Sequence, residues 1–314
     1  MKPRVAFFGT PAFAVPSLET VARLADVAAV VCQPDKPAGR GQQLTAPPVK
    51  AWAEAHGVPC VQPVKLRDGT FAQWLRDLAV DVAVVVAYGR ILPPDVLTAP
   101  RLGCLNVHGS VLPKHRGAAP IQWAVLAGDA QTGVTLMQMD DGLDTGPMLS
   151  IRRVDIGPDE TAPELSARLS ELGARILEEE LGHFVAGLLS PVPQDASQHT
   201  LAPPLTREMA VIDWKRPATA LHAQVRGLAG WPGTHTTLGA RRLMVAATRL
   251  DDAPTVLGGA PGEVVAVTKD RIWVATGAGL LALVEVQLEG KKRLPVREFL
   301  AGHPLRTGAM LGGP

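Results

Sequence analysis

The sequence lacks a paired set of cysteines. Cys32, Cys60 and Cys104 are the three cysteines of the chain, they are far apart, and no two of them form a CxxC motif. An odd number at this spacing excludes a disulfide framework and a cysteine-ligated zinc site. The three residues lie in or beside apolar stretches, so we expect buried, reduced thiols as in cytosolic proteins.

The sequence also lacks long hydrophobic runs and a strong net charge. No run of apolar residues reaches the roughly 18 positions of a membrane-spanning helix, and the first residues enter a strand-like run without a signal-peptide hydrophobic region. We therefore expect a cytoplasmic protein with no membrane partner. The formal net charge is +1, and this average neither favours nor excludes a nucleic-acid partner.

The composition is that of an ordinary globular protein whose charge is divided unevenly. A length of 314 residues favours two domains, and 46% hydrophobic residues with 19% charged residues is typical of a soluble fold. Residues 1–204 have 17 Lys and Arg against 21 Asp and Glu, whereas residues 205–314 have 14 against 9. The balances are −4 and +5. The second segment is basic, which suits a phosphate-binding domain and equally a solvated surface.

Short apolar runs alternate with helical periodicity in the first half of the chain. The runs predict buried strands at 4–9, 27–33, 58–62, 81–87 and 103–107. Strands that are apolar on both faces and separated by helices predict a parallel sheet covered on both sides, with ligands at the carboxyl ends of its strands. The turn after the first strand has no GxGxxG motif, so a nicotinamide site is only weakly supported.

Two more strands, a long helix and a linker are predicted before the texture of the sequence changes. Residues 133–140 and 148–156 predict the strands, and Thr161 with Glu164 matches a capping box at the start of the helix. Residues 190–205 are rich in proline and polar residues and predict an extended linker. Several short β-like runs beyond it predict a small barrel or sandwich, of which an OB-type barrel is one form.

The densest group of unusual side chains follows the strand at 103–107. Asn106 and His108 are two positions apart, so both side chains lie on the same face of a strand. An amide beside an imidazole at the carboxyl end of a strand can combine an oxyanion donor with an acid or base. The alternative is structural, with both side chains satisfying backbone groups at the strand end.

Three carboxylates, Asp140, Asp141 and Asp144, lie among glycines after a later strand. Asp and Gly are turn residues, so backbone reasons alone can place them there. The alternating register of a calcium-binding loop and its later Glu are absent, which argues against a metal. A carboxylate close to His108 would hold the tautomer of the imidazole and raise its basicity.

Together these segments resemble the methionyl-tRNA formyltransferase family. The most specific part is Asn-x-His-x-Ser-x-Leu-Pro at 106–113, followed by Asp-x-Gly-Leu-Asp-Thr-Gly at 140–146. The resemblance covers nearly the whole chain, through residues 8–14, 33–50, 84–93, 103–121, 132–148, 212–214, 231–232 and 290–292. The family implies a Rossmann-like parallel-sheet catalytic domain at 1–189, the linker at 190–205 and a basic OB-type β-barrel domain at 206–314.

The resemblance implies a role for each part of the site. Asn106, His108 and Asp144 fall at the family's catalytic positions, where the amide and the imidazole face the formyl oxygen and the carboxylate orients the imidazole. The formyl donor of the family is 10-formyltetrahydrofolate. Its expected contacts are Tyr88, Gly89, Ile91, Leu92, Ser110, Val111, Leu112 and Pro113. No metal and no nicotinamide are implied.

The acceptor in this family is methionyl-initiator tRNA. The long segment 33–50 is implied to contact the acceptor end through Lys36 and Arg40, and the basic C-terminal domain to hold the acceptor arm through Lys291 and Lys292. The chain departs from the family's basic and aromatic residues at Gln42, Gln43, Leu201 and Pro204. The implied protein is a cytoplasmic monomer without a DNA partner.

Three alternatives stay open on the sequence. A related transformylase would use the same Asn, His and Asp on a small amine such as glycinamide ribonucleotide or an amino-sugar nucleotide, although formylation of glycinamide ribonucleotide does not need the basic extension. A non-catalytic RNA-binding module would not need the intact Asn106, His108 and Asp144. A dinucleotide-dependent dehydrogenase is suggested by the fold alone and is disfavoured by the missing glycine motif.

Overall fold

The chain divides into two compact units in the computed structural model, which describes residues 2–38, 43–250, 254 and 258–312. The first unit consists of Met1–Pro120, Gln131–Asp155 and Ser166–Pro203. The second consists of Ile121–Ala130, Ile156–Leu165 and Pro204–Pro314. The second unit therefore includes two short segments that precede the basic C-terminal part of the chain.

The helices and strands up to residue 203 follow the alternation that the apolar runs predict. The strands are β1 (Arg4–Gly9), β2 (Asp26–Val31), β3 (Lys36–Ala38), β4 (Gln43–Thr45), β5 (Cys60–Val61), β6 (Val82–Val86), β7 (Cys104–His108), β8 (Arg116–Gly117), β9 (Gln131–Gln138), β10 (Met148–Asp155) and β11 (Leu201–Ala202). The helices are α1 (Val15–Leu24), α2 (Pro48–Ala55), α3 (Thr70–Asp77), α4 (Pro94–Leu97), α5 (Pro120–Leu126) and α6 (Ala162–Val185).

The first unit is built on a seven-stranded sheet in the order β10-β9-β7-β6-β1-β2-β5. The five strands from β7 to β5 are parallel to one another, while β9 and β10 are antiparallel to their neighbours. Every residue of β6 and β7 is buried, because strands in the middle of such a sheet are covered on both faces. The predicted Rossmann-like parallel sheet is confirmed.

The strand order reverses beside β1. From β1 the chain builds outward through β2 and β5, and it then returns to β6 on the other side of β1. Open α/β sheets bind ligands at such a switch point, outside the carboxyl ends of the strands. Here those ends are occupied by Thr10 and Tyr88, and the Thr10 hydroxyl donates to the Tyr88 carbonyl at 3.0 Å.

The segment 33–50 contains a β-hairpin. β3 and β4 pair antiparallel, with Lys36 opposite Thr45. The base of the hairpin is fixed by an ion pair in which the Lys50 Nζ lies 2.8 Å from an Asp35 carboxylate oxygen. Gln62 also donates to Asp35, at 2.7 Å. The hairpin tip, including Arg40 and Gln42, lies outside the described residues.

Two features of the predicted helix and linker have defined contacts. Glu164 accepts hydrogen bonds from the Thr161 backbone and hydroxyl at 2.8 and 2.7 Å, so the glutamate half of the predicted capping box is formed at the start of α6. The segment 190–203 is extended except for one 3-10 turn at Ala196–Gln198, and it belongs to the first unit. Val192 bridges Met148, and β11 pairs in parallel with β8.

The second unit contains an antiparallel barrel. Its strands are β12 (His235–Leu238), β13 (Arg241–Arg249), β14 (Val264–Val267), β15 (Ile272–Ala275), β16 (Leu280–Leu288) and β17 (Leu294–Pro295), and its helices include α7 (Ala218–Gly227) and α8 (Val296–Gly302). The sheet order is β12-β13-β16-β15-β14, with β17 paired to β16. Leu243, Val245, Leu281, Leu283 and Val286 are buried in its core, as expected of inward-facing barrel positions.

The C-terminal residues join the two edges of this sheet. Leu311 bridges Leu238 at the end of β12, and Met310 bridges Glu263 beside β14. The Val264 amide also donates to the Ala309 carbonyl at 2.8 Å. The extra segment satisfies backbone groups that would otherwise be exposed on the two edge strands, and the predicted OB-type barrel is confirmed.

Across the described parts of the chain, no helix has both the length and the apolar content that a bilayer-spanning helix needs.

Candidate functional site

Asn106, His108 and Asp144 meet in the first unit although 36 to 38 positions of sequence separate the aspartate from the other two. β7 presents Asn106 and His108 on one face, and the turn after β9 brings Asp144 to them. The Asn106 amide nitrogen donates to Asp144 Oδ1 at 3.4 Å. The His108 Nδ1 lies 3.7 Å from Asp144 Oδ2. The three predicted side chains therefore form one cluster.

The cluster is largely shielded from solvent. Asn106 and His108 are 9% and 5% exposed, and the Asp144 side chain is 14% exposed. Hydrogen bonds and charge interactions are stronger in such a site than in water, because the surrounding dielectric constant is low. The residual exposure of Asp144 leaves this carboxylate as the part of the cluster that is nearest to solvent.

The two ring nitrogens of His108 have different partners. The Nε2 lies 3.0 Å from the His115 carbonyl oxygen, which can only accept a hydrogen bond, so Nε2 carries a proton. Nδ1 is consequently the nitrogen that faces Asp144 and can gain or lose a proton there. His115 itself has a positive φ of 60°, and this turn directs its carbonyl back to the ring.

Asp144 adopts a backbone conformation that is uncommon for a residue other than glycine. Its φ is +54°, in the left-handed region. The turn is shaped from inside by Asp140, whose Oδ1 accepts the Gly142 amide at 3.1 Å and the Thr145 hydroxyl at 2.7 Å. Asp140 therefore builds the turn, a role that its residue type also suggested.

Gln194 holds the Asp144 turn from the outside. Its Nε2 donates to the carbonyls of Asp144 and Gly146, both at 2.8 Å. Its Oε1 accepts two hydrogen bonds from the buried Arg116 guanidinium, at 3.0 and 2.7 Å. One amide thus joins the turn to the residue that follows His115.

Gly117 completes the surroundings of the carboxylate. Its backbone amide donates to Asp144 Oδ2 at 2.9 Å. A side chain at Gly117 would be strained, because φ is +128° and an added Cβ would lie 2.7 Å from the Ala202 carbonyl oxygen. This position requires glycine so that the strand β11 can pass close to β8.

Sequence reasoning missed Gln194, Arg116 and Gly117 as parts of the site. Gln194 lies in the proline-rich segment that predicted a linker, and no local pattern marks it. Arg116 and Gly117 stand in the resembling stretch 103–121 but were given no role. Only the path of residues 190–203 along the first unit shows that these groups act on Asp144.

The predicted residues 88–92 lie at the strand-order switch. Gln33 donates through its amide nitrogen to the carbonyls of Tyr88 and Gly89 at 2.9 and 3.1 Å, which fixes this turn. Tyr88 and Leu92 are buried, and burial raises the pKa of the Tyr88 hydroxyl. Gly89 and Ile91 are exposed, so they are the members of this set that a ligand can reach directly.

The second predicted contact segment, 110–113, is held by Thr135 on β9. The Thr135 hydroxyl donates to the Ser110 carbonyl at 2.7 Å and accepts the Leu112 amide at 3.1 Å. Ser110 and Leu112 are buried, whereas Val111 and Pro113 are half-buried. The segment is therefore a fixed wall beside the end of β7, with Val111 and Pro113 accessible.

Two cavities lie in the first unit, and neither lining includes Asn106, His108 or Asp144. The first, of about 400 Å³, is lined by Ile91 and by the cationic side chains Lys65, Arg67 and Arg90. The second, of about 720 Å³, lies between α4, the start of β7 and the Asp144 turn, where Leu97, Gly103, Met139, Asp140 and Asp141 line it. Both volumes are in the range of small-molecule sites.

The predicted RNA-contact lysines are exposed. Lys36 is on β3 and donates to the Gln33 side chain at 2.7 Å. Lys291 and Lys292 lie in the turn between β16 and β17. Among the residues that the structure describes, no group of three or more His, Cys, Asp and Glu side chains is arranged to hold a metal ion.

Both parts of the chain are similar in sequence to known proteins. The model of the formyl transferase family matches residues 3–181, and the model of the formyl transferase C-terminal domain matches residues 204–304. The methionyl-tRNA formyltransferase of Sorangium cellulosum is 50% identical over 309 residues, covering 98% of this chain and 99% of that protein. That of Myxococcus xanthus is 50% identical over 308 residues, covering 98% and 97%.

Solved structures show the same fold at low sequence identity. WlaRD, a sugar 3N-formyl transferase, has a TM-score of 0.69 at 16% identity, covering 93% of this chain and all of its own. An N-formyltransferase from Helicobacter canadensis, in complex with folinic acid and dTDP-3-aminofucose, has a TM-score of 0.68 at 15% identity over 90% of this chain and 99% of its own. With both domain models matched in order along the sequence, the chain belongs to the formyl transferase family.

Proposed function

We propose that the protein transfers the formyl group of 10-formyltetrahydrofolate to the amino group of methionyl-initiator tRNA. The observation that carries this proposal is the contact of Asn106 and His108 with Asp144 at the end of β7. Relatives named methionyl-tRNA formyltransferase match the chain along 98% of its length, including the basic second segment, and this supports the acceptor.

The reaction needs one bond to form and one to break. The acceptor amine attacks the formyl carbon, and negative charge develops on the formyl oxygen. The bond between the formyl carbon and the folate nitrogen then breaks, and that nitrogen takes up a proton as the amine loses one. The protein has to stabilise the oxyanion and move this proton.

Asn106 is the oxyanion donor in this proposal. An asparagine amide has two N–H groups, and in the described site one of them is directed at Asp144. The other is the donor that we assign to the formyl oxygen. Holding the amide through Asp144 orients it before the substrate binds, so little free energy is spent on ordering the donor during the reaction.

His108 and Asp144 are the proton-handling pair. Protonated His108 places positive charge beside the developing oxyanion. Asp144 faces Nδ1 of the ring and is the more exposed of the two, so it accepts the amine proton directly or through one water molecule. The fixed Nε2 contact with the His115 carbonyl keeps the ring in the orientation that this exchange requires.

The formyl donor lies against residues 88–92 and 110–113 in this proposal. Support comes from Gly89, Ile91, Val111 and Pro113, which ligands can reach. Folate carries carboxylates at one end, and the cavity beside Ile91 is lined by three cationic side chains against one carboxylate, that of Asp68. The apolar and carboxylate-lined cavity next to the Asp144 turn suits the flat ring with its N–H donors at the other end.

The tRNA contacts are Lys36, Arg40, Lys291 and Lys292. Backbone contact to RNA needs cationic surface, and the balance of +5 in residues 205–314 supports a role in tRNA binding. The enzyme acts in the cytoplasm as a monomer, with neither DNA nor a membrane as partner.

One assay tests the acceptor. The protein is incubated with 10-formyltetrahydrofolate and, separately, with methionyl-initiator tRNA, glycinamide ribonucleotide and an amino-sugar nucleotide. We expect formylation of the tRNA-bound methionine alone. Formylation of a small amine in preference to the tRNA would assign the same chemistry to another substrate, and no formylation of any acceptor would overturn the proposed activity.

Changing the paired lysines of the barrel tests the RNA contact. In the full-length protein, Lys291→Ala with Lys292→Ala is expected to weaken tRNA binding and to lower the slope of log affinity against log salt by about 1 per lost phosphate contact. The measurement is tRNA titration at several salt concentrations. Lys269→Ala, in another exposed turn of the same barrel, is the control. An unchanged slope in the double variant would exclude these two lysines as contacts of the tRNA phosphates.

The hydrogen bonds from Gln194 to the Asp144 turn, called the Gln194 clamp below, are removed to test whether they position Asp144. Gln194→Ala is expected to lower kcat by about ten- to hundredfold with little change in KM for either substrate, because Asp144 is released while the binding surfaces remain. Gln194→Glu keeps an acceptor for Arg116 but loses the donor, so it is expected to restore little activity. Gln198→Ala is the control, since this amide bonds only within its own exposed turn. Equal kcat in the two alanine variants would exclude the clamp.

A further inference from the structure

Two of the three cysteines are in contact in the first unit. Cys32 follows β2 and Cys60 begins β5, and these strands are parallel neighbours. Cys60 pairs with Val30, so Cys32 lies two positions further along the same face. The two sulfur atoms are 3.7 Å apart. Neither residue has a role in the transfer reaction described above.

The two thiols differ in accessibility and in ionisation. Cys32 is fully buried, whereas Cys60 is half-buried, so Cys60 is the thiol that a small reagent reaches first. The hydrogen bond between the two thiols and the nearby Lys50 charge lower the pKa of Cys60, against the effect of burial. The same hydrogen bond and burial raise the pKa of Cys32. The pair thus combines a more accessible thiol, Cys60, with a buried thiol, Cys32, in contact with it.

We propose that Cys60 and Cys32 form a site of reversible oxidation by hydrogen peroxide. The Cys60 thiolate attacks one peroxide oxygen, an S–O bond forms, the O–O bond breaks, and the hydroxide that leaves becomes water. The Cys32 sulfur then attacks the Cys60 sulfur, an S–S bond forms, and the S–O oxygen leaves as water with the proton of Cys32. In total two thiols lose two electrons and one peroxide becomes two waters.

The disulfide would act on the expected folate site through Gln33. A disulfide brings the sulfur atoms from 3.7 Å to about 2.05 Å, so we expect the two cysteine side chains and the strand ends that carry them to adjust at this point. Gln33 follows Cys32 directly, and its side chain holds the carbonyls of Tyr88 and Gly89. Gln62, two residues after Cys60, donates to the Gln33 carbonyl at 2.8 Å. We expect oxidation to raise the KM for the folate severalfold, a consequence that rests on the proposed function.

Mass spectrometry tests the chemistry without any activity assay. The full-length protein is treated with hydrogen peroxide, its remaining thiols are alkylated, and its peptides are mapped. We expect a linked peptide pair containing Cys32 and Cys60, lost again on treatment with dithiothreitol. Cys104 is expected to stay reduced, because it is buried and burial raises its pKa to about 12. Peroxide that leaves Cys32 and Cys60 both alkylated would overturn the proposal.

Single variants separate the two roles. In Cys32→Ser, Cys60 has no resolving thiol and is expected to reach the sulfinic acid, which dithiothreitol does not reverse. In Cys60→Ser, buried Cys32 is expected to remain a thiol. Cys104→Ala is the control and is expected to form the same disulfide as the wild type. A Cys32→Ser protein whose Cys60 resists oxidation would show that Cys60 is not the attacking residue.

Activity is measured on the same oxidised and reduced samples. The folate KM is measured before oxidation, after oxidation and after reduction, with Cys32→Ser as the variant that cannot form the disulfide. An unchanged KM in protein shown to be disulfide-linked would overturn the effect on folate. Absence of formyl transfer in the reduced protein would instead contradict the proposed function, while the mass-spectrometric result would stand by itself.

Discussion

Asn106→Ala is expected to slow formyl transfer by about a hundredfold or more, as does the loss of one oxyanion donor in other enzymes. The alanine removes the N–H that we assign to the formyl oxygen and leaves Asp144 without its amide partner. We expect the variant to lower kcat, because the charge on the formyl oxygen develops only in the transition state. Single-turnover formylation of methionyl-tRNA at saturating folate measures it.

A surface amide provides the control for this variant. Gln131 is exposed and donates to Asp155 at 3.1 Å, at the opposite end of β9 from the turn that carries Asp144. Gln131→Ala is expected to transfer the formyl group at the wild-type rate. Wild-type turnover in Asn106→Ala would exclude the amide as an oxyanion donor, whatever the binding constants of the two substrates.

Asp144→Asn is expected to reduce kcat by about a thousandfold or more, as for other carboxylates that orient a catalytic imidazole. The replacement keeps the size of the side chain and an oxygen for the Gly117 amide. It removes the negative charge beside His108 Nδ1 and the acceptor for the amine proton. The pre-steady-state rate of transfer is the measurement, and folate affinity is expected to change little.

Asp77→Asn serves as the matched control, because Asp77 is an exposed carboxylate on α3 whose partner is the neighbouring Gln73. The double variant Asn106→Ala with Asp144→Asn is informative as well. Since the two side chains are in contact, we expect the combined loss to be smaller than the product of the single losses. Full multiplication of the two effects would show that they act independently, contrary to the shared cluster.

The hydrogen bonds from Gln194 explain how a turn can hold Asp144, the carboxylate that we propose to be catalytic. A positive φ at Asp144 costs of order 1 kcal/mol or more, and such a conformation persists only where its surroundings hold it. Asp140 holds this turn from one side and Gln194 from the other. The residues that position Asp144 therefore come from three separate segments of the chain.

Local physical chemistry was enough to predict the main strands of the first unit and two of the three side chains of the cluster. The strand predicted at 4–9 is β1 with the same bounds, because apolar runs of this kind bury both faces of a strand. Asn106 and His108 were placed together for an equally local reason, since side chains two positions apart share a face. The capping box at Thr161 is another interaction within four residues.

Rules based on neighbours along the chain could not predict long-range contacts. Asp144 was connected with Asn106 by the resemblance to a family and not by the spacing of the residues. Neither the resemblance nor the spacing indicated the role of Gln194 or the contact between Cys32 and Cys60. Residues 39–42 of the hairpin, which include Arg40, lie outside the described residues, so that expectation stays a prediction. The closure of the barrel by residues 308–312 also carried no strand pattern in the sequence.

The sequence by itself determined the main strands and helices, such as β1, β7 and α6, and the chemical groups that follow them, because these depend on periodicity and on neighbours along the chain. The tertiary structure alone decided that an amide at position 194 holds the backbone at 144, and that sulfur atoms 28 positions apart lie within 3.7 Å. The physical reason is that hydrogen bonds and atomic contacts act over a few ångströms in space, whatever the distance along the chain.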